Sequence, residues 1–156
     1  MARETLPLKD AVQQLLDEAR MVLPGIQALL GFQLIAVFNE GFARRLDGGE
    51  QRLHLAAILL VALATGLVMT PAAYHRQAMQ RAVSDAFLRL GSRLVTAALV
   101  PLGVGLSIDI FIVARLVTNS VATSVAIAVA TLAVLMSLWL AFPRWRPGET
   151  ARSDAD

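Results

Sequence analysis

Most of the charge along this chain lies in short stretches that separate four long, largely apolar runs. The runs cover residues 22–38, 53–73, 94–117 and 121–142. Each is close to the roughly 17–25 residues that carry a helix across a bilayer. A helix on the surface of a soluble domain shows a polar residue every third or fourth position. Residues 55–69, LAAILLVALATGLVM, offer no such face, and residues 121–142 offer only Ser, Thr and one Trp. A helix that is apolar all round belongs in lipid or inside a much larger protein. The pattern therefore predicts an all-α fold: a four-helix transmembrane bundle with amphipathic cytoplasmic helices.

The segments between the runs carry their own periodicity. In residues 5–21 Leu8, Ala11, Val12, Leu15 and Ala19 share one helical face, with Lys9, Asp10, Gln13, Asp17 and Arg20 elsewhere. This predicts a cytoplasmic amphipathic helix over 1–21, lying on the membrane surface or packed on the next cytoplasmic piece. That piece is 74–93, where Met79, Val83, Ala86, Leu90 and Leu94 recur at helical spacing. Ser84 followed by Asp85 suits a helix start, so 74–93 reads as a helical hairpin extending the second and third spans. Residues 39–52, NEGFARRLDGGEQR, read as a loop with a turn at Asp47-Gly48-Gly49. Residues 118–120 make a loop so short that the third and fourth spans are antiparallel neighbours. Residues 143–156, PRWRPGETARSDAD, read as a disordered cytoplasmic tail.

Composition agrees with the pattern. The hydrophobic fraction is 56% and the charged fraction 17%, with a mean hydropathy of +0.62, against about 45–50% and about 25% in soluble domains. Cysteine is absent, which excludes disulfides, thiol nucleophiles and cysteine-bound metals. No cleavable signal is evident, because residues 1–21 mix acids and bases. The first run would serve as the insertion signal. The pI near 9.9 does not point to nucleic acid, because the bases lie scattered along the membrane edges.

The bases also give an orientation. Four spans put both termini on one side. That side carries Arg3, Lys9, Arg20, Arg76, Arg81, Arg89, Arg93, Arg144, Arg146 and Arg152, ten bases, while Arg44, Arg45, Arg52 and Arg115 make four on the other. The richer side is expected in the cytoplasm. The chain is thus read as a multi-pass protein of the bacterial inner membrane with both termini inside. The inner arginines would attract anionic lipid headgroups, at about 1 kcal/mol each. Close packing is expected along small-residue stripes: Ala62, Gly66 and Thr70; Gly103 and Ser107; Ala122, Ala126 and Ala130. Pro71 and Pro101 are expected to kink the second and third spans, while Pro24 falls at the start of the first.

Within this apolar background one acid is conspicuous. Asp109 sits in VPLGVGLSIDIFIVARLV, roughly 12 Å below the outer end of its span. An ionised acid there costs about 2.5–3.5 kcal/mol. It is therefore expected to face protein, as a proton-binding or an ion-pairing group. Gln33 lies at a matching depth in the first span. Glu40, seven residues on, is expected on the same face, so Gln33 and Glu40 are the candidate partners of Asp109. Arg115 lies about 240° round the helix from Asp109. It is a secondary candidate that could pair with Glu40, meet another subunit or reach the outer headgroups. His54 could join this outer group. His75 and Arg76, at the inner end of the second span beside Tyr74, read as interface anchors or as a relay.

No HExxH, GxSxG, GxxxxGK[ST] or GxGxxG occurs, and the two histidines lie twenty-one positions apart at opposite faces. The expectation is no enzyme, no metal and no cofactor. Two stretches, GIQALLGFQLIAVFNEGF and TPAAYHR, resemble a family of small bacterial four-span membrane proteins of unknown function, some of whose members are labelled sodium:proton antiporter. The resemblance runs from about Ala19 into the fourth span, with Gln27, Gln33, Phe38, Pro71, His75 and Arg76 matching its pattern. Secondary transporters usually bind between two repeats of several helices, so four spans imply a homo-oligomer if they transport. Two functions stay open: movement of protons or small cations, and a non-catalytic scaffold or partner subunit acting through its cytoplasmic helices.

Overall fold

The computed structural model describes residues 7–78 and 85–142. Those residues form helices and short connections, with no strand among them. The order is α1 (Leu8–Val37), α2 (Glu40–Arg45), α3 (Gly48–Ala78), α4 (Asp85–Thr118) and α5 (Val121–Met136), the last continuing as a π-helical turn, Ser137–Ala141. Four stretches are long and apolar enough to cross a membrane: Asp10–Val37, Gly48–Arg76, Ala86–Thr118 and Val121–Ala141. These are the features of a multi-pass membrane protein.

The central pair is α3 and α4. α1 lies against α3 and also reaches α4, and α5 lies against α4. The core gathers Ala19 and Ile26 of α1, Val61, Ala64 and Val68 of α3, and Ala98 and Leu102 of α4. On α1 the buried positions are Val12, Leu15, Ala19, Ile26 and Gln33. Val12, Ala19, Ile26 and Gln33 stand seven apart, so one seam runs almost the whole helix. Residues 8–21 of the separate lead-in helix expected over 1–21 are thus the first half of α1, and their apolar face packs on the bundle, while residues 1–6 lie outside the described residues. Leu15 reaches the point where Gly91 and Pro71 meet. Pro24 lies inside α1, not at a helix start. It removes one backbone donor, while the helix is held from both sides of it by the buried seam.

Three other expectations change. The Asp47-Gly48-Gly49 turn is a helix start. The Oδ1 of Asp47 accepts from the backbone N–H of Gly49 and Glu50, at 2.7 and 2.8 Å, and Glu50 Oε2 accepts from the N–H of Asp47 at 3.1 Å. This reciprocal pattern is a capping box, satisfying donors that a helix start leaves free. Second, residues 40–45 form α2, capped by Asn39, whose side chain accepts from Gly41 N–H at 2.8 Å. Third, two of the small stripes point away from the bundle. Ala62, Gly66 and Thr70 are exposed, as are Ala122, Ala126 and Ala130. The close approach occurs instead at Gly103 and Gly105 of α4. Residues 79–84 of the expected 74–93 hairpin lie outside the described residues, as does the tail from 143. On either side of that gap α3 and α4 do continue past their apolar runs. The α4–α5 turn is tight because Asn119 takes a positive φ of 53°, which asparagine tolerates better than most residues.

The Asp47 cap carries a pH signature. Its backbone hydrogen bonds to Glu50 and Gly49 hold its carboxyl below the ordinary aspartate value. A depressed folded pKa means the cap stabilises α3 fully above the unfolded value and is lost as pH falls through the folded one. Asp47→Ala is therefore expected to lower Tm by a few degrees at neutral pH. The gap between variant and wild type should close in strong acid, as thermal unfolding in detergent would show.

Candidate functional site

Most hydroxyls in the spans bond within their own helix. Thr65 donates to the Val61 carbonyl, Thr70 to Gly66, Ser107 to Gly103, Ser124 to Ser120 and Thr131 to Ile127. Such back-bonding satisfies the side chain locally and leaves it little further chemistry. A different set of polar groups joins one helix to another. Gln33 of α1, His54 of α3 and Asp109 of α4 meet at the end of the bundle that holds α2 and the α4–α5 turn. Gln33 is 4% exposed, His54 7%, and the Asp109 side chain 21%.

Gln33 comes last on the buried seam of α1, so the register that buries Ile26 also turns its amide inward. His54 lies one helical turn from Ala57 and two from Val61, both fully buried against α4. Asp109 lies one turn from Gly105 on the same face of α4. A Cβ at Gly105 would stand 3.0 Å from Val61 Cγ2 and 3.2 Å from the Ala57 carbonyl oxygen. The missing side chain lets α4 approach α3 closely, and the approach brings Asp109 to His54.

The geometry is specific. Gln33 Nε2 donates to Asp109 Oδ2 at 2.6 Å. His54 Nε2 lies 3.0 Å from the backbone oxygen of Gln33. His54 Nδ1 lies 3.3 Å from Asp109 Oδ1. That last approach is within ion-pair range but lacks hydrogen-bond alignment, and Oδ1 is buried with no hydrogen bond. Gln33 Oε1 is likewise buried and without a partner. Phe42 of α2 covers the imidazole, ring centroids 5.3 Å apart.

These contacts bear on where protons sit. A carbonyl oxygen only accepts, so His54 Nε2 carries a hydrogen. In the neutral ring the bare Nδ1 then faces Asp109 Oδ1, two lone pairs at 3.3 Å out of water. One proton placed between them removes the conflict. It sits on Nδ1, giving imidazolium and carboxylate, or on Oδ1, giving neutral imidazole and carboxylic acid. With that proton in place the pair would be neutral overall and would hold one exchangeable proton.

The site opens into a cavity of about 750 Å³ between α1, α2, α3 and α4. Glu40 lines it, but not as a partner of Asp109. α1 ends at Val37 and Glu40 starts α2, so the seven-residue spacing from Gln33 no longer places the two on one face. The Glu40 side chain is 89% exposed and meets Arg44 at 3.7 Å. Arg115 pairs with neither Glu40 nor Asp109. Its Nε lies 3.3 Å from Glu50 Oε1, tying the end of α4 to the start of α3. His75 lies at the opposite end of the bundle, its ring 5.7 Å from that of Phe87, which also stacks on Tyr74 at 5.8 Å. Arg76 follows in the last turn of α3. Neither belongs to the Asp109 site. Asp109 and His54 are potential metal ligands, and among the described residues no third His, Asp or Glu joins them.

Residues 8–143, most of the chain, match the model of the family described as a family of unknown function, DUF6328. No curated protein and no solved structure matches the chain.

Proposed function

We propose that this chain, which belongs to the DUF6328 family of unknown function, is an integral membrane protein that moves protons, or small cations in exchange for them. Asp109 is the proton-binding group, His54 stands beside it, and Gln33 holds the carboxylate. The supporting observation is that Gln33, His54 and Asp109, from three different helices, meet beside an open cavity. An ionisable group inside a span is costly to keep. A neutral, proton-holding pair lowers that cost and can still exchange.

On the same reading the membrane is the inner membrane of a bacterium, and both ends of the chain face the cytoplasm. The cavity then opens toward the outer side. The chain acts as a homo-oligomer, since four spans supply only one half of the two-repeat arrangement usual for transporters. It catalyses no reaction and takes no cofactor. Arginines at the inner ends of the spans contact anionic headgroups, and nucleic acid is no partner. Glu40 and the arginines of α2 stand at the cavity rim and set the field through which a cation passes.

The test is flux in proteoliposomes containing a pH dye under an imposed ion gradient. Proton movement that is lost in Asp109→Asn supports the proposal. A wild-type protein that moves no proton under any gradient favours the scaffold, a membrane module acting through partner contacts. Because the chain lacks cysteine, Ala43→Cys gives a background-free label on α2. Labelling only from the cytoplasm would overturn the orientation.

A further inference from the structure

A proton needs far less room than this site provides. About 750 Å³ lies within the roughly 300–1,000 Å³ typical of small-molecule pockets. The walls are largely apolar, with Leu29 and Phe32 of α1 and Ile112, Val113 and Leu116 of α4. Phe32, Val113 and Leu116 are also exposed on the bundle surface. The cavity is thus flanked on the α1 and α4 side by residues that face the surrounding acyl chains. On its polar side lie Asp109, His54 and Gln33. Gln33 Oε1 is a buried acceptor with no donor, and Asp109 Oδ1 has no hydrogen bond. Once the shared proton leaves, the site has acceptors in excess and no cationic donor.

We infer that this cavity binds an amphiphile carrying a protonated amine, which takes the place of the shared proton; this rests on the proton reading above and names what is exchanged. A primary ammonium offers three N–H donors, enough for the Asp109 carboxylate and for Gln33 Oε1. A bare divalent cation would want about six oxygen ligands, and the site offers one carboxylate and one amide oxygen. The apolar body lies along Phe32, Val113 and Leu116. Arg44 and Arg45 on the α2 side of the cavity suit the phosphate of an amine-bearing phospholipid, whereas a simple alkylamine leaves them to Glu40 and water. The exchange balances. The ammonium enters with its charge, the proton between Nδ1 and Oδ1 leaves to water, and His54 keeps its Nε2 hydrogen on the Gln33 carbonyl. Only that one N–H or O–H bond breaks.

The full chain in choline-phospholipid nanodiscs, weakly buffered, tests this with decylammonium chloride. One proton should be released per amine bound, and decanol, with the same tail, should release none. A lipophilic carbodiimide, which modifies protonated buried carboxyls, gives a second readout at Asp109 by mass spectrometry. At amine ten times its Kd, labelling should slow roughly tenfold, as mass action requires. Leu116→Trp fills the wall two helical turns from Asp109. It should abolish the amine effect and keep the pH dependence of labelling. Protection by ethanolamine phospholipid in place of choline phospholipid would assign the amine to lipid; protection by decylammonium alone would assign it to a free amine. If decylammonium releases no proton, or decanol acts equally, while Asp109 labelling still depends on pH, the amine site is overturned and the proton site stands. If Asp109 shows no pH-dependent labelling, both are overturned.

Discussion

Gly105→Val is expected to separate α3 from α4, destabilise the protein and dismantle the proton site together. The cause is the contact at Gly105. The Ala57 carbonyl, 3.2 Å from where a Cβ would stand, is backbone and cannot rotate away, and the Val61 methyl at 3.0 Å is fully buried. Overpacking a close-fitted interior costs about 1–3 kcal/mol, with alanine at the lower end and valine at the upper. The functional effect follows from spacing. Asp109 is one turn from Gly105, and His54 is one turn from Ala57, so a wedge at this contact widens the gap between carboxylate and imidazole. Gly66→Ala is the control, because a Cβ there meets nothing within 4 Å. It should leave stability unchanged or slightly raised, since alanine is the better helix former. Thermal unfolding in one detergent, with proton flux measured in parallel, checks both effects.

Two substitutions at Asp109 are expected to separate stability from function. In Asp109→Asn the side-chain oxygen can still accept from Gln33 Nε2, and the new amide can donate to a neutral His54 Nδ1. The shape is kept and the Gln33 bond survives, so stability should change by less than about 1 kcal/mol. The exchangeable proton is gone. Flux should fall about a hundredfold, the lower range for loss of a positioned proton donor. Asp109→Ala leaves the Gln33 amide and the His54 ring buried without their partner. Each unsatisfied group costs about 1–3 kcal/mol, so this variant should be much less stable as well as inactive. Equal stability of the two variants would mean that the Gln33–Asp109 bond contributes little to the bundle.

The fold was legible because its signal is long and repetitive. Four apolar runs separated by charge admit few arrangements, and the α4–α5 turn followed from three residues. Less visible was the unity of α1. Its seam changes character from amphipathic to apolar at Met21, and Pro24 resembles a boundary. Only the seven-residue series from Val12 to Gln33 shows that one face continues. Two of the three small stripes misled because alanine and glycine are common in spans wherever they face, whereas Gly103 and Ser107 do pack inward. Gly105 and Ala57 are less conspicuous, and their pairing depends on the relative register of α3 and α4, which one sequence does not state.

The site was partly legible for the same reason. Depth matched Gln33 to Asp109 correctly. Glu40 was misplaced because the end of α1 at Val37 breaks the helical phase before residue 40. His54 ranked low from sequence because it stands near a span end. The signal that could have raised it is position: it lies one and two turns from Ala57 and Val61, on the only histidine-bearing face directed at α4 at that depth. The bond from its ring to the Gln33 backbone could not be read, because a backbone carbonyl leaves no mark in the sequence. The Glu50–Arg115 pair was missed because both residues lie at helix ends, where the pairing depends on how the ends align.

The central claim is that His54 keeps its Nε2 hydrogen and shares one further proton with Asp109. Nitrogen NMR of ¹⁵N-histidine protein in lipid measures this directly, with His75→Gln leaving His54 as the single histidine. Nε2 should remain protonated across the whole titration, with Nδ1 alone responding to pH and losing that response in Asp109→Asn. A neutral Nδ1–H ring with a bare Nε2, or a titration indifferent to Asp109→Asn, would contradict the account.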